Sequence, residues 1–278
     1  MAEEPTGPSQ LEILAAVTGN SKIAEERGLL PSRRNLLISG AGIIAASAVS
    51  GAAIAAETQA VNVGINIQKS DTAIVFIDPQ NDVLSEKGAN WGAVGASVTE
   101  NRTVENMERI FQAAKTKGYE VFISPHYFYP TDSTWKFNGP LETSEFRTHS
   151  FARTGPLTLA GFANSGADWL DRFKPYIEDS KTIVVSPHKV WGPQTNDLVL
   201  QLRKRGIAKI ILGGMLANMC VESHLRELLE QGFQIAVVKD ATAGPRHPEW
   251  GDGYQAAMIN YRFLAHAVWS TEETVARM

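Results

Sequence analysis

Residues 209–224 read KIILGGMLANMCVESH, an apolar run that two glycines separate from a helical pattern. Residues 209–212 have the composition of a buried strand, and residues 219–231 predict a helix that ends at Gly232. The same alternation of strand and helix recurs along the chain. Further strands are predicted at residues 72–78, 119–124, 182–186, 233–238 and 267–270, and further helices at 99–117, 167–173, 196–205 and 251–266.

This alternation decides the fold class. Strands made of nearly unbroken Val, Ile and Leu runs, each followed by a helix, indicate a parallel sheet that is covered on both faces. The sequence therefore predicts an α/β protein with a three-layer Rossmann-like fold, in which helices lie on both faces of a six-stranded, mainly parallel sheet.

The composition narrows the class of protein. Of the 278 residues 44% are hydrophobic and the formal net charge is −4, which suits a folded core and gives no basis for a nucleic-acid partner. The chain has one cysteine, Cys220, so neither an internal disulfide framework nor a multi-cysteine metal site is expected. The lone thiol is therefore either packing or chemistry.

The N-terminal part has the pattern of an export signal. Arg33 and Arg34 precede an uncharged stretch rich in Ala, Gly and Ile, and small residues follow at 53–55. The arginine pair resembles a twin-arginine signal. We expect residues 1–58 to be an export signal with a disordered extension, and residues 59–278 to be a hydrolase domain in the periplasm. The alternative is a membrane anchor formed by an uncleaved signal. Once the signal is removed, no stable membrane partner is expected, and contact with the export machinery is transient.

Candidate catalytic residues follow three of the predicted strands. Ligands of open parallel sheets bind beyond the carboxyl ends of the strands, and Asp78, Lys189 and Cys220 stand at such ends. Cys220 opens a helix, where unpaired N–H groups favour an anion. Lys189 can supply positive charge, and Asp78 can accept the thiol proton. The residues alone leave two readings open, a nucleophilic site or a buried cysteine that only fills space.

Four blocks of sequence carry a family resemblance. They are residues 76–82 (FIDPQND), Lys189 with Trp191, Thr195, Asp197 and Leu198, residues 213–222 (GGMLANMCVE) and residues 239–243 (KDATA). Together they make residues 70–270 resemble the isochorismatase-like cysteine hydrolases, a superfamily that includes nicotinamidases and N-carbamoylsarcosine amidase.

The resemblance implies an activity and a mechanism. It implies hydrolysis of a C–N bond in a small amide, carbamoyl or ureide compound, through a thioester on a triad of Asp78, Lys189 and Cys220. It further implies a non-proline cis peptide between Met215 and Leu216, with the N–H groups of Leu216 and Cys220 as the oxyanion hole, and a homodimer or homotetramer. Two alternatives share the fold: isochorismate-type vinyl ether hydrolysis, which needs no thiol, and a non-catalytic binding protein.

The pocket and the metal are separate expectations. Residues 126–165 are rich in aromatic side chains, which suits stacking on a small planar substrate. We expect the pocket to be lined by Gln80, His126, Tyr127, Trp135 and Trp191. Nicotinamidases hold a metal through an Asp-x-His pattern after the second strand, and that pattern is missing here, with His126 and Asp132 as the remaining candidates. No metal or other cofactor is therefore expected, because a metal site needs at least three converging ligands.

Overall fold

A computed structural model describes residues 64–278. The predicted signal over residues 1–58 and its boundary with the folded domain lie outside the described residues. Within residues 64–278, no helix is both long enough and apolar enough to cross a membrane.

A six-stranded sheet forms the centre of the molecule, and the prediction of an α/β fold around such a sheet is confirmed. The strand order is β3-β2-β1-β4-β5-β8, and every neighbouring pair is parallel. A separate antiparallel pair is formed by β6 and β7. The strands are β1 (Thr72–Ile77), β2 (Glu120–Ser124), β3 (Ile183–Val184), β4 (Lys209–Met215), β5 (Gln234–Ala243), β6 (Arg246–His247), β7 (Gly251–Asp252) and β8 (Ala267–Trp269).

Helices cover both faces of the sheet. They are α1 (Asn81–Leu84), α2 (Trp91–Asn101), α3 (Thr103–Lys117), α4 (Pro140–Thr148), α5 (Lys174–Ile177), α6 (Leu198–Lys204), α7 (Glu222–Glu230), α8 (Gly253–Leu264) and α9 (Thr271–Arg277). Side chains alternate between the faces along each strand, which produces two hydrophobic cores. Ile74 and Phe76 of β1 pack with α2 and α3 on one face, and Val75 and Ile77 pack with α6, α7 and α8 on the other.

Two predicted helices differ from the structure. The helix predicted over residues 99–117 is the end of α2 followed by α3, because Arg102 adopts φ 52 and breaks the helix. The segment 167–173 is not helical. Its backbone instead hydrogen-bonds to the loop after β1, with Asn81 N–H donating to the Asp168 carbonyl and Leu170 N–H donating to that of Pro79. These bonds hold the loop that carries Asp78.

Candidate active site

Asp78 is the first residue after β1, in an uncommon backbone conformation. Its φ is 49, a region that few residues other than glycine adopt and that recurs at functional sites. The backbone N–H donates to the Ser124 carbonyl at the end of β2. The carboxylate is buried, and its Oδ1 lies 2.9 Å from Nε2 of His188.

Cys220 follows β4 across a tightly packed turn. Gly214 has φ 110, and a Cβ there would lie 2.1 Å from the Ile77 carbonyl oxygen, so only glycine lets β4 approach β1 this closely. The predicted non-proline cis peptide between Met215 and Leu216 is present. A single π-helical turn, Ala217–Val221, then leads into α7 and contains Cys220. Such turns frequently occur at functional sites.

Four buried side chains meet where these strands end. Asp78, His126, His188 and Cys220 each offer an atom that can bind a metal, and these atoms all lie within 4.8 Å of one another. We term these four residues the Cys220 cluster. The cluster takes one residue from beyond each of β1, β2 and β3 and one from the turn after β4, so it stands where the strand-end rule places ligands.

The partners of the Lys189 ammonium lie outside the Cys220 cluster. His188 forms a parallel bridge with His126, and in extended backbone the next residue points to the opposite face. The Lys189 ammonium pairs with Asp132 at 2.5 Å, donates to the Tyr127 carbonyl and sits 3.9 Å from the centre of the Tyr129 ring. The triad of Asp78, Lys189 and Cys220 stays a prediction; in this structure the Lys189 ammonium bonds to Asp132, and His188 bonds to Asp78.

Within residues 64–278, two ring nitrogens of the cluster have no hydrogen-bond partner. They are Nε2 of His126 and Nδ1 of His188, in rings that are 1% and 0% exposed. Burial lowers the pKa of His126 well below its ordinary value, and the nearby His188 ring and Lys189 ammonium lower it further. The His126 ring is therefore a neutral imidazole, and Nε2 is available to a ligand.

The Cys220 thiol is protonated in this arrangement. Burial raises its pKa well above the ordinary value, and the negative charges of Asp78 and Glu145 raise it further. The backbone N–H of Leu216 lowers the pKa, and the thiol has the Val190 carbonyl oxygen at 3.8 Å as its acceptor. A thiolate therefore forms only when the proton moves to a base, and the Asp78 carboxylate lies within 4.8 Å.

Hydrogen bonds of the buried His224 support the cluster. His224 Nδ1 lies 2.7 Å from the Cys220 carbonyl, and its Nε2 lies 2.9 Å from the Ser124 hydroxyl. The same hydroxyl accepts a bond from Asn196. The His224 ring also contacts the His188 ring edge to face, with centroids 5.1 Å apart. These contacts set the position of His188, and they were not predicted from sequence.

The predicted pocket residues have separate places. His126 belongs to the Cys220 cluster. Gln80 is fully buried, and its side chain hydrogen-bonds to the His126 backbone and to the Ala167 carbonyl. It therefore holds the loop after β1 and does not line the pocket. Tyr127 packs in the core against Trp169 and under Arg153. Trp135 packs on Phe128 and Phe146, and Trp191 contacts the core on the α7 face.

A cavity of about 290 Å³ lies beside the cluster, and all of its lining residues belong to the aromatic-rich segment 126–165. It is lined by Phe128, Tyr129, Pro130, Ser133, Glu145, Phe146, His149, Ser150, Ala152 and Arg153. Phe128 links it to the cluster, because its ring lies 4.5 Å from that of His126. A larger cavity, of about 590 Å³, lies beside α2, and neither cavity has a residue of the Cys220 cluster in its lining.

Glu145 is an acid that the sequence analysis missed. Burial raises its pKa to about 8, and the negative charges of Asp78, Glu142 and Asp82 contribute. It enters the cavity from α4, which lies in a stretch with no clear periodicity. At neutral pH the cavity therefore contains a largely protonated carboxyl group close to Asp78.

Most of the described domain matches known proteins. The isochorismatase domain family matches residues 72–273. The ureidoacrylate amidohydrolase RutB of Variovorax paradoxus is 28% identical over 209 residues, which are 69% of this chain and 75% of the relative. Relatives of this kind support the prediction of an enzyme.

Solved structures share the fold. A cysteine hydrolase from Pseudomonas syringae pv. phaseolicola matches with a TM-score of 0.63 at 19% identity, covering 77% of this chain and 95% of that chain. N-carbamoylsarcosine amidase from Thermoplasma acidophilum matches with a TM-score of 0.52 at 18% identity, covering 73% and 97%. The family expected from the four sequence blocks is confirmed: the chain belongs to the isochorismatase family.

Proposed function

We propose that this protein is a cysteine hydrolase that cleaves a C–N bond of a small amide, carbamoyl or ureide compound through a thioester on Cys220. The observation that carries the proposal is the proximity, within 4.8 Å, of the buried Cys220 thiol to the Asp78 carboxylate at the carboxyl edge of the sheet. A thiol next to a base is the arrangement that covalent acyl transfer requires. The ureidoacrylate amidohydrolases among the relatives act on a bond of this kind.

The proposed reaction starts with the thiol proton. Asp78 takes it, and the Cys220 sulfur attacks the carbonyl carbon. The N–H groups of Leu216 and Cys220 hold the oxyanion that forms. Asp78 then donates the proton to the departing nitrogen, so that ammonia or an amine leaves and a thioester remains. Asp78 deprotonates a water molecule, which attacks the thioester, and the thiol recovers its proton.

His188 orients the base in this scheme. Its Nε2 is in hydrogen-bond range of Asp78 Oδ1, and an ionised carboxylate can only accept, so the ring donates. The bond fixes the carboxylate and leaves Oδ2 for the thiol proton. Lys189, predicted for the triad, has its ammonium on Asp132. We therefore assign the positioning role to His188.

The cavity suits a small substrate with an acidic end. Arg153 lines it; one guanidinium N–H donates to the Thr158 carbonyl, and the buried Nε has no hydrogen-bond partner within residues 64–278. A guanidinium binds carboxylates well because its N–H groups match the two oxygens. The substrate class that we propose is a carbamoyl or ureido acid, with its carboxylate on Arg153 and its carbonyl directed towards the neighbouring Cys220 cluster. Such compounds carry the planar group that the aromatic walls of the cavity favour.

Ammonia release tests this function. The full chain is incubated with nicotinamide, carbamoyl amino acids, ureido acids and simple aliphatic amides. We expect turnover of ureido or carbamoyl acids, and a loss of at least about three orders of magnitude in Cys220→Ser. A covalent adduct on Cys220, trapped by acid quenching and seen as a mass increase, reports the thioester. Full turnover in Cys220→Ser would refute the proposal.

Arg153→Met tests the substrate class. We expect the KM for a ureido acid to rise, while the KM for the corresponding neutral amide stays the same. Arg147→Met, a change of arginine at the outer end of α4, is the matched control. An equal rise for both substrates would mean that Arg153 shapes the cavity without binding a carboxylate.

We extend the proposal to export through the twin-arginine route into the periplasm. The sequence of Arg33 and Arg34, the weakly apolar stretch and the small residues supports it. Replacing both arginines by lysine is expected to retain the protein in the cytoplasm, as measured by cell fractionation. The dimeric or tetrameric assembly stays a prediction, and gel filtration with light scattering measures it.

A further inference from the structure

We propose that the Cys220 cluster binds a Zn²⁺ ion, and that the bound ion blocks Cys220 as a nucleophile. The metal site is inferred from the ligands alone, whereas its inhibitory effect rests on the proposed function of Cys220. The donor set differs from the Asp-x-His pattern of nicotinamidases, because it uses Asp78 and the cysteine together with His126 and His188.

The geometry provides four converging ligands. Their atoms lie within 4.8 Å of one another, and a tetrahedral Zn²⁺ at about 2.0–2.3 Å from each ligand requires roughly 1 Å of closure. The residues come from four separate segments anchored to one sheet edge, and a hydrogen bond holds Asp78 and His188 at 2.9 Å. Small rotations of the side chains therefore complete the site.

The free ring nitrogen of His126 is the second observation. Among residues 64–278 its Nε2 is buried without a partner, and burial without a hydrogen bond is costly for a polar atom. His188 offers Nε2, which faces Asp78 at 2.9 Å, and its ring proton then resides on Nδ1. The His126 ring also interacts with the Lys189 backbone. A metal-bound imidazole commonly has its other nitrogen on a backbone carbonyl in this way, so the His126 ring is already oriented for a ligand at Nε2.

Chemistry selects zinc over the hard cations. A thiolate and two imidazoles suit a borderline-soft ion, whereas Mg²⁺ and Ca²⁺ take oxygen ligands. Coordination displaces the thiol proton to solvent and makes the sulfur a thiolate. One thiolate and one carboxylate then neutralise the two charges of Zn²⁺, so the buried centre is neutral and avoids the cost of burying net charge.

The bound ion and the proposed reaction exclude each other. Attack on a carbonyl needs the sulfur lone pair, and the proposed reaction needs the Asp78 carboxylate as a base. A bound Zn²⁺ coordinates both the sulfur and the carboxylate, so neither is available for the reaction. The zinc-bound protein is therefore the inactive form, and removal of zinc releases the nucleophile.

Cobalt titration tests the site without using turnover. Metal-free full chain is titrated with Co²⁺, and absorption from thiolate-to-cobalt charge transfer is followed in the near ultraviolet. We expect one Co²⁺ per chain and displacement by Zn²⁺. Cys220 is the sole cysteine of the sequence, so the thiolate band belongs to it, and Cys220→Ser is expected to lose the band.

His126→Gln is the variant that decides. It removes one ligand and keeps Cys220, and Co²⁺ affinity is expected to fall by about 100-fold or more, since even indirect partners of a metal are worth 10–100-fold. His247→Gln, outside the cluster, is the matched control. Absence of the thiolate band, or equal affinity in His126→Gln and the unmodified chain, overturns the proposal.

Alkylation of Cys220 separates this inference from the proposed function. Zn²⁺ is expected to slow the reaction of Cys220 with iodoacetamide in proportion to site occupancy, and a chelator to restore it. Equal rates with and without Zn²⁺ overturn the blocking effect. Turnover of amides that resists saturating Zn²⁺ overturns it as well. Metal binding without any turnover of the substrate panel would instead refute the amidase function and leave the metal site standing.

Discussion

The Cys220 cluster and the Lys189–Asp132 ion pair are neighbouring regions that use the ends of the same strands for different purposes. The four side chains of the cluster are buried, and two ring nitrogens have no partner in the described part of the chain. The ion pair is partly exposed, with side chains that are 23% and 11% accessible, and its charges are matched. Buried, incompletely satisfied groups are where chemistry is expected, whereas a matched pair near the surface holds a loop in place.

One peptide bond separates the two regions. His188 and Lys189 are consecutive, and extended backbone sends their side chains to opposite faces. The positive group that a family pattern assigns to the site is thus next to His188 in sequence, and its ammonium bonds to Asp132 rather than to Asp78. The imidazole of His188 occupies the contact with Asp78 that the pattern gives to the lysine.

Asp78→Asn is expected to have the largest effect. Asparagine keeps the size of the side chain but cannot accept the thiol proton, so kcat/KM for a carbamoyl or ureido acid should fall by about 10²–10⁴-fold. The matched control is Asp132→Asn, which makes the same change in the ion pair and should stay within a factor of about 5. Comparable losses in the two variants would erase the distinction between the regions.

Substitution of His188 is expected to have the next largest effect on kcat, and substitution of its neighbour Lys189 a much smaller one. His188→Leu removes the donor to Asp78, and kcat is expected to fall by about 10²-fold, the cost of a misplaced catalytic group. His188→Gln retains an N–H donor and should recover part of kcat with little change in KM. Lys189→Met should leave kcat within a factor of about 5. If Lys189→Met loses more than His188→Leu, the lysine turns into the site during turnover and the triad expected from the family pattern is restored.

The sequence was sufficient for the sheet and for the edge that carries the site. Apolar runs are long enough in β1, β2, β4 and β5 to predict strands, and the strand-end rule points to the positions after them. The same reasoning finds Asp78 and Cys220 because each directly follows a well-formed strand or its turn. The glycines at 213 and 214 mark the close approach of β4 to β1, although the clash at Gly214 is visible only in the structure.

The other site residues lie in segments whose sequence has no regular pattern of apolar residues, so their side-chain positions could not be predicted. β3 is only Ile183–Val184, so a period of two cannot be followed as far as His188 and Lys189, and the sequence could not assign their faces. Glu145 lies on a short helix within an irregular stretch, and its burial results from tertiary contacts. Arg102 breaks a helix in a left-handed conformation, for which a non-glycine residue gives no signal.

Glu145→Gln is expected to change how stability depends on pH. The pKa of Glu145 is raised to about 8 from an ordinary 4.5, first by burial. The folded state therefore holds the proton more tightly than the unfolded state, so this group's contribution is fully present below pH 4.5 and is lost as the pH rises towards 8. Glu145→Gln should gain stability relative to the unmodified chain between pH 5 and pH 8, by a few kcal/mol at most at about 1.4 kcal/mol per pKa unit.

Urea denaturation at several pH values measures the Glu145 effect. Exposed Glu178→Gln controls for the loss of a surface carboxyl. If both variants follow the pH dependence of the unmodified chain, Glu145 is ionised at neutral pH and the cavity contains a negative charge. That result would weaken the fit of an acidic substrate to the cavity, because a second carboxylate would then face the first.

The Lys189–Asp132 pair is expected to have the smallest effect, and on stability alone. A double-mutant cycle with Lys189→Met and Asp132→Asn should give a coupling free energy of about 1 kcal/mol, the upper end for partly exposed pairs. The pair Lys174–Asp171, whose aspartate is 81% accessible, is the control, with a coupling close to zero. A coupling of this size without loss of kcat would mean that the ion pair holds the loop between β2 and α4 and leaves the chemistry to the Cys220 cluster. A large change in kcat that is coupled between the two positions would contradict this, because it would make the loop and the cluster a single catalytic unit.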